Sequence, residues 1–286
     1  MDSIDRDDPR WPAALNDASP RVMQLYVLGD PVMMREPLCA VVGTRTCTDY
    51  GVRVTRQLVT SLVAGGVGIV SGLARGIDAA AHRAALDAGG RTIAVLGTGV
   101  DVPYPAGHRE LHARIARDGV VVSENAPGAK AIQGCFPKRN RIIAALAPLT
   151  LVVEAGFKSG AQSTASEALA IGRDVAAVPG PIDSPQSAGA NALIAAGAHV
   201  VTCAGDILSL LKLPPPAEER IAANLSGDAR AVWGALERGA LYCEDIAAAA
   251  DLPLSRALSA VSELEIAGHV AVGFDDLVRR ALPAVR

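Results

Sequence analysis

Two glycine-rich stretches place an arginine where a strand would end and a helix begin. In "VVGTRT" (residues 41–46), Gly43 lets the backbone pass close to a ligand and Arg45 adds a fork-shaped donor. The free N–H groups of a helix start favour an anion at the same place. "SGLARGIDAAAH" (residues 71–82) repeats the design, with Gly72, Arg75 and Gly76 at the turn. Two adjacent sites of this kind suit a phosphate chain better than an isolated anion. A third stretch, "FPKRNRII" (residues 136–143), sets Lys138, Arg139 and Arg141 at the doorway of an apolar helix. Aromatic residues are only 3% of the chain, yet Tyr50, Tyr104, Phe136 and Phe157 all fall in or beside these loops. Base stacking needs such ring faces. Asp78 and His82 read more simply as supports for helix packing.

Other chemistries are disfavoured. No G-x-x-x-x-G-K-[ST] precedes a helix, since Lys158–Ser159 in "GFKSG" lacks the glycine spacing, and neither "GTGVDV" nor "GVGIVS" completes a dinucleotide fingerprint. Thr164 and Glu167 have the Thr-x-x-Glu spacing of nucleotide phosphoribohydrolases of related fold, where a carboxylate assists N-glycosidic cleavage. The Pro-Gly-Gly turn expected before such a pair is missing, so hydrolysis of nucleoside monophosphates is the alternative and not the first choice. The five cysteines (Cys39, Cys47, Cys135, Cys203, Cys243) are odd in number and form no C-x-x-C pair, which supports neither a disulfide framework nor a zinc site. No cofactor or metal is expected.

The elements that must carry these loops are legible in the apolar runs. "CAVVG", "VGIVSG", "TIAVLG", "GVVVSE", "LTLVVEA", "DVAAVPG" and "AHVVT" alternate with helical patterns from Cys39 onward. They are continuously apolar, so they predict strands covered on both faces with helices as crossovers. The fold class expected is α/β: a Rossmann-like, doubly wound, mostly parallel sheet with a small carboxyl-terminal winged-helix domain. In such sheets ligands collect at the carboxyl-end loops, where the arginines lie. Residues 1–37 read as an extension packed on the main domain, 38–212 as the Rossmann-like unit and 213–227, rich in proline and charge, as a linker. Within 228–286, three short helices (229–237, 242–249, 254–266) and a hairpin suggest the winged helix.

The chain of 286 residues carries a formal charge of −3, so any polyanion site must come from local clustering. Residues 128–173 hold six cations against two carboxylates, a net +4, whereas residues 222–286 hold six arginines against nine carboxylates, a net −3. Groove binding by a helix-turn-helix needs Lys and Arg at the phosphates. The acidic carboxyl-terminal unit is therefore read as a protein-contact or accessory module. The amino-terminal "MDSIDRDDPR" is acidic where a signal peptide is basic and then apolar, and the longest apolar run is too short to cross a bilayer. A cytoplasmic location without membrane contact is expected.

Taken in order, "VVGTRTCTDYG", "SGLARGIDAAAH", "AVLGTGVDVPYP", "FPKRNRIIA", "VVEAGFKSGAQSTASEA" and "VPGPI" resemble the DNA processing protein A (DprA, or Smf) family. The likeness covers residues 11–211 and, more loosely, the winged helix. It implies a non-enzymatic, homodimeric binder of single-stranded DNA that protects incoming strands in natural transformation and helps load the RecA recombinase. Carried over position by position, the resemblance implies an anion pocket of Gly43, Arg45, Ser71, Gly72, Arg75, Gly76, Lys138, Arg139, Asn140, Lys158, Ser159 and Gly160. Lys138 and Arg139 are the first-choice phosphate contacts, with Arg141 left to hold a structural partner. The chain departs from the family at Thr44 in place of serine, at His108 in place of asparagine, and at "KSGA" (158–161) in place of R-S-G-S. The last two departures are expected to weaken hydrogen bonds to phosphate.

Overall fold

The computed structural model describes residues 1–132, 134–157, 159–214, 224–225, 227–273 and 276–280. Its contacts divide into two units, 1–214 and 215–286.

In the first unit the apolar runs become strands β3 (Leu38–Val42), β4 (Gly68–Ser71), β5 (Thr92–Leu96), β6 (Val120–Ser123), β7 (Leu149–Val152), β8 (Asp174–Ala177) and β9 (His199–Val200). They pair in parallel in the order β6-β5-β4-β3-β7-β8-β9. The crossovers are α1 (Asp49–Ala64), α2 (Ile77–Asp87), α3 (Arg109–Asp118), α4 (Cys135–Leu146), α5 (Gly160–Ala170) and α6 (Ala188–Ala195), with α7 (Ala204–Leu210) after β9. Every residue of β3 is buried, and successive side chains serve opposite layers. Ala40 and Val42 join Ile142, Ile143 and Ala165 of α4 and α5. Cys39 and Val41 join Leu58, Val59 and Ile77 of α1 and α2. This is why the runs are unbroken: neither face meets water.

Residues 1–37 pack on the main domain and also lengthen its sheet. Leu15, Ala18, Val22 and Met34 join the core around Ile142 and Ile143 of α4, while β1 (Asp2–Asp5) and β2 (Gln24–Gly29) add two antiparallel strands outside β6. Their alternating burial, with Leu25 and Val27 inward, is the pattern of a strand with one covered face, a weaker signal than the uniform runs downstream.

The chain leaves β3 toward β6 and then returns to β7 on the other side of β3. The β3–α1 and β7–α5 loops therefore part from each other at the carboxyl ends of the strands. A crevice opens at such a reversal.

In the second unit α8 (Gly227–Ala235), α9 (Cys243–Ala249) and α10 (Leu254–Ile266) enclose Val232, Trp233, Ile246, Ala257 and Leu264. An antiparallel pair, β10 (Val270–Val272) and β11 (Val278–Arg280), closes it. Most of the segment expected as a linker, 213–227, lies outside the described residues, as do residues 281–286.

Candidate nucleic-acid interface

The crevice holds a cavity of about 450 Å³. Its walls come from the end of β3 (Val42 to Arg45), from the first turns of α4 (Phe136, Pro137, Arg139, Asn140) and from the start of α5 (Ser159 to Ala161, Ser163, Thr164), with Ala74 and Asp78 below. A second cavity of about 330 Å³ adjoins it, lined by Arg45, Thr46, Gly72, Ala74, Arg75, Tyr104, Pro105, Phe136 and Arg139. Phe136 and Arg45 belong to both. The Phe136 ring lies 5.0 Å from that of Tyr104, and the Arg45 guanidinium carbon is 5.8 Å from the Phe136 ring centre. Cations and ring faces thus alternate along one rim.

Each cavity wall is fixed from beneath. Thr44 N–H donates to Glu154 O at 2.7 Å, joining the two loops that part at the crevice. The buried Glu154 carboxylate accepts from Thr48 N–H at 2.9 Å and from its hydroxyl at 2.5 Å. Thr48 in turn caps α1 by accepting from Gly51 N–H. Asp78 accepts from the N–H groups of Gly72 (3.1 Å) and Ala74 (3.3 Å). Burial raises its carboxyl above the usual range, and the Arg139 charge and the neighbouring N–H groups oppose that rise.

The cations expected at the site divide into two kinds. Arg45 and Arg75 are exposed and have no ion-pair partner among the described residues. Arg139 is buried and committed: it donates to Gly72 O at 2.7 Å, to Val95 O, and through Nε to Asn140 Oδ1 at 3.2 Å. Burial pulls its guanidinium down to about 10, still charged at neutral pH. A cation spent on carbonyl oxygens organises the walls and lends long-range field more than it offers free donors. Arg141 is buried on Glu124, with Nη2 at 2.8 and 2.7 Å from the two carboxylate oxygens. Lys138 is exposed, 3.7 Å from Glu124, and lines neither cavity.

The remaining expected residues separate in the same way. Gly43, Asn140, Ser159 and Gly160 line the larger cavity. Asn140 Nδ2 donates to Gly160 O at 3.4 Å, linking α4 to α5. The Ser159 hydroxyl, at the open start of α5, is buried without a partner among the described residues. Gly72 lines the smaller cavity, and a Cβ there would sit 2.4 Å from the Arg139 guanidinium. Two residues do not reach either cavity. Ser71 is fully buried and donates to Val41 O at 2.6 Å, which ties β4 to β3. Gly76, at φ +76°, starts α2 where a Cβ would meet Thr44 O at 2.2 Å. Lys158 lies outside the described residues.

His82 is fully buried, bonded through Nδ1 to the Thr92 hydroxyl at 2.7 Å, and burial lowers it to about 3. Thr164 lines the larger cavity but Glu167 does not, so the Thr-x-x-Glu pair is split; the carboxylate that does line it, Asp78, accepts from the N–H groups of Gly72 and Ala74. Thr44 and Ser163 are lining hydroxyls that were not among the pocket residues expected from the sequence. Thr44 sits inside the quoted "GTR", and its place beside Arg45 was the available signal.

Two family models match the chain: DNA recombination-mediator protein A over residues 2–212, and the DprA winged helix domain over residues 214–273. The chain belongs to the DNA recombination-mediator protein A family. The DprA protein of Mycobacterium tuberculosis is 43% identical over 287 aligned positions, covering 93% of this chain and 73% of the relative. DprA of Streptococcus pneumoniae is 42% identical over 71% of each protein. Its crystal structure superposes with a TM-score of 0.71 at 40% identity, covering 73% of this chain and 74% of that one. DprA of Helicobacter pylori, whose structure describes a single-stranded DNA binding mode, superposes with a TM-score of 0.66 at 26% identity over 74% of this chain and 96% of that one. Family membership makes this a DNA-processing protein with a carboxyl-terminal winged helix. Among the described residues no helix is long and apolar enough to cross a membrane.

Proposed function

We propose that this chain binds single-stranded DNA without sequence preference along the carboxyl-end rim of its large sheet. The observation that carries the reading is the pair of adjoining cavities whose linings join Arg45 and Arg75, neither in an ion pair among the described residues, to the rings of Phe136 and Tyr104. A flexible strand satisfies such a surface with two groups at once, phosphates toward the arginines and bases toward the rings. Backbone N–H groups at the start of α5 and the Ser159 hydroxyl supply further donors for an anion in the larger cavity. The lining arginines, hydroxyls and backbone N–H groups contact phosphate in any sequence, and the lining amide Asn140 is engaged at both ends, accepting from Arg139 Nε and donating to Gly160 O.

Protection of incoming strands and loading of the RecA recombinase form the finer part of this proposal, supported by membership of a recombination-mediator family. A cytoplasmic homodimer belongs to it as well. On one side the sheet ends in β9, whose His199 and Val200 are both exposed, and an open strand edge is a natural seam for a second copy.

The test is fluorescence anisotropy with a labelled dT20 strand across a salt series, beside sedimentation of the protein alone. Affinity is expected to fall steeply with salt and to exceed that for a duplex of the same length. Binding indifferent to salt, or stronger for duplex, would sink the reading.

A further inference from the structure

The loop that carries Arg75 is held by side chains from three other elements, one of them the short turn that directly follows Tyr104 and Pro105 of the smaller cavity's lining. Asp78 of α2 accepts from Gly72 and Ala74 N–H, and Arg139 of α4 donates to Gly72 O. Between these anchors stands Leu73, fully buried, at φ +55°, in the left-handed region that a branched side chain seldom adopts. Its carbonyl oxygen is held by His108 Nδ1 at 3.0 Å. A carbonyl only accepts, so this nitrogen carries the proton. His108 ends the short 3-10 turn Ala106–His108, directly after Tyr104 and Pro105, which line the same cavity as Arg75.

We propose that His108 is a positioning residue for strand binding. Its bond to Leu73 ties the Arg75 loop to the Tyr104 segment, and so sets the gap in which one cation and one ring face the same nucleotide. This rests on the single-strand reading given above. It also replaces the expectation that histidine here weakens contacts to phosphate, because His108 lines neither cavity and spends its donor on the protein. Histidine Nδ1 and asparagine Nδ2 stand at the same distance along the side chain. Asparagine therefore preserves the donor, whereas leucine keeps similar bulk and removes it.

The experiment measures dT20 anisotropy for wild type, His108→Leu, His108→Ala, His108→Asn, Arg75→Ala and the His108→Leu/Arg75→Ala pair, with thermal unfolding of each. His108→Leu and His108→Ala are expected to weaken binding about five-fold, the scale of one net hydrogen bond. Their salt slopes should fall by about 0.7, the loss of roughly one single-strand phosphate contact. His108→Asn should stay within about two-fold of wild type. In the Arg75→Ala background, His108→Leu should add less than about two-fold, because the residue acts through Arg75. Asparagine as weak as leucine, or independent multiplication of the two losses, overturns the proposal while leaving the single-strand reading intact. A wild type that does not bind dT20 overturns both.

Discussion

Two arginines at the rim of the large sheet and two in the winged helix are in opposite states. At the rim of the large sheet, Arg45 and Arg75 stand exposed with no ion pair among the described residues, and the cavities open onto them. In the winged helix, Arg256 of α10 is clamped on Asp228 at 2.6 and 2.5 Å, and Arg280 lies over Trp233 at 4.4 Å while donating to its carbonyl oxygen. α10 occupies the recognition position of a helix-turn-helix, yet its exposed face offers Leu254, Leu258, Glu263 and Glu265. Among the described residues, the winged helix thus commits Arg256 and Arg280 to its own groups, while the sheet rim leaves Arg45 and Arg75 outside any ion pair. What a cation is bonded to decides more than how many there are.

The largest effect should come from breaking that contrast directly. Arg45→Ala/Arg75→Ala is expected to weaken dT20 binding by about two orders of magnitude, since hydrogen bonds to charged groups are worth about 1.5–3 kcal/mol each. Its salt slope should fall by roughly 1.4, two phosphate contacts on a single strand. Arg256→Ala, removing a cation already neutralised, should change affinity less than about two-fold in the same assay. Equal losses from the two variants would show that the winged helix shares the binding track.

Arg139 tests whether a buried cation at the rim behaves as scaffold. Arg139→Met leaves Gly72 O, Val95 O and Asn140 without their donor and Asp78 without its neighbouring positive charge. Losing one partner of such a set costs about 3–5 kcal/mol. Chemical denaturation should register that loss, whereas Arg45→Ala should leave the unfolding midpoint nearly unchanged. If Arg139→Met kept its stability and lost only DNA, the guanidinium would belong with Arg45 and Arg75.

These two kinds of arginine look alike in the sequence, which explains how much could be read there. The strands were legible because burial on both faces leaves uninterrupted apolar runs, as in "CAVVG" and "TIAVLG". Strand β2 was not, since "QLYVLG" alternates and pairs through a partner, β6, that lies nearly a hundred residues away. At the site, glycine and arginine spacing located the loops that the structure brings to the cavities. Spacing alone did not assign the states of the cations. Arg139 is committed by carbonyls of Gly72, after β4, and Val95, within β5, and Lys138 is turned toward Glu124, from the end of β6. Partners so far apart in the chain leave no local pattern.

A smaller, pH-dependent effect separates the core beneath the rim from the rim itself. His82 falls from 6.5 in the unfolded chain to about 3 in the fold because burial disfavours its charged form. Between those values the unfolded chain binds more protons, so stability rises with pH there, by up to about 1.4 kcal/mol per unit from this residue. Above pH 6.5 its contribution is fully present, and it is lost as pH falls toward 3. His82→Asn keeps a donor for the Thr92 hydroxyl and removes the titration. Its stability, measured by urea unfolding from pH 7 to pH 4, should vary less steeply than that of wild type. Parallel curves would mean that His82 is already charged in the folded protein.

A small effect is also expected at Lys138, the cation ranked first with Arg139 from the sequence. Its ammonium stands 3.7 Å from a Glu124 carboxylate already bound to Arg141, and its side chain is 62% exposed. Exposed pairs of this kind are worth roughly 0–1 kcal/mol, so Glu124 neither holds Lys138 firmly nor frees it from local competition. Lys138→Ala is therefore expected to lower dT20 affinity less than about three-fold and to reduce the salt slope by less than one contact. A loss as large as that of Arg45→Ala would carry the strand out of the two cavities and along the exposed side of α4. The free and the committed cations would then have to be sorted again, with Lys138 among the free.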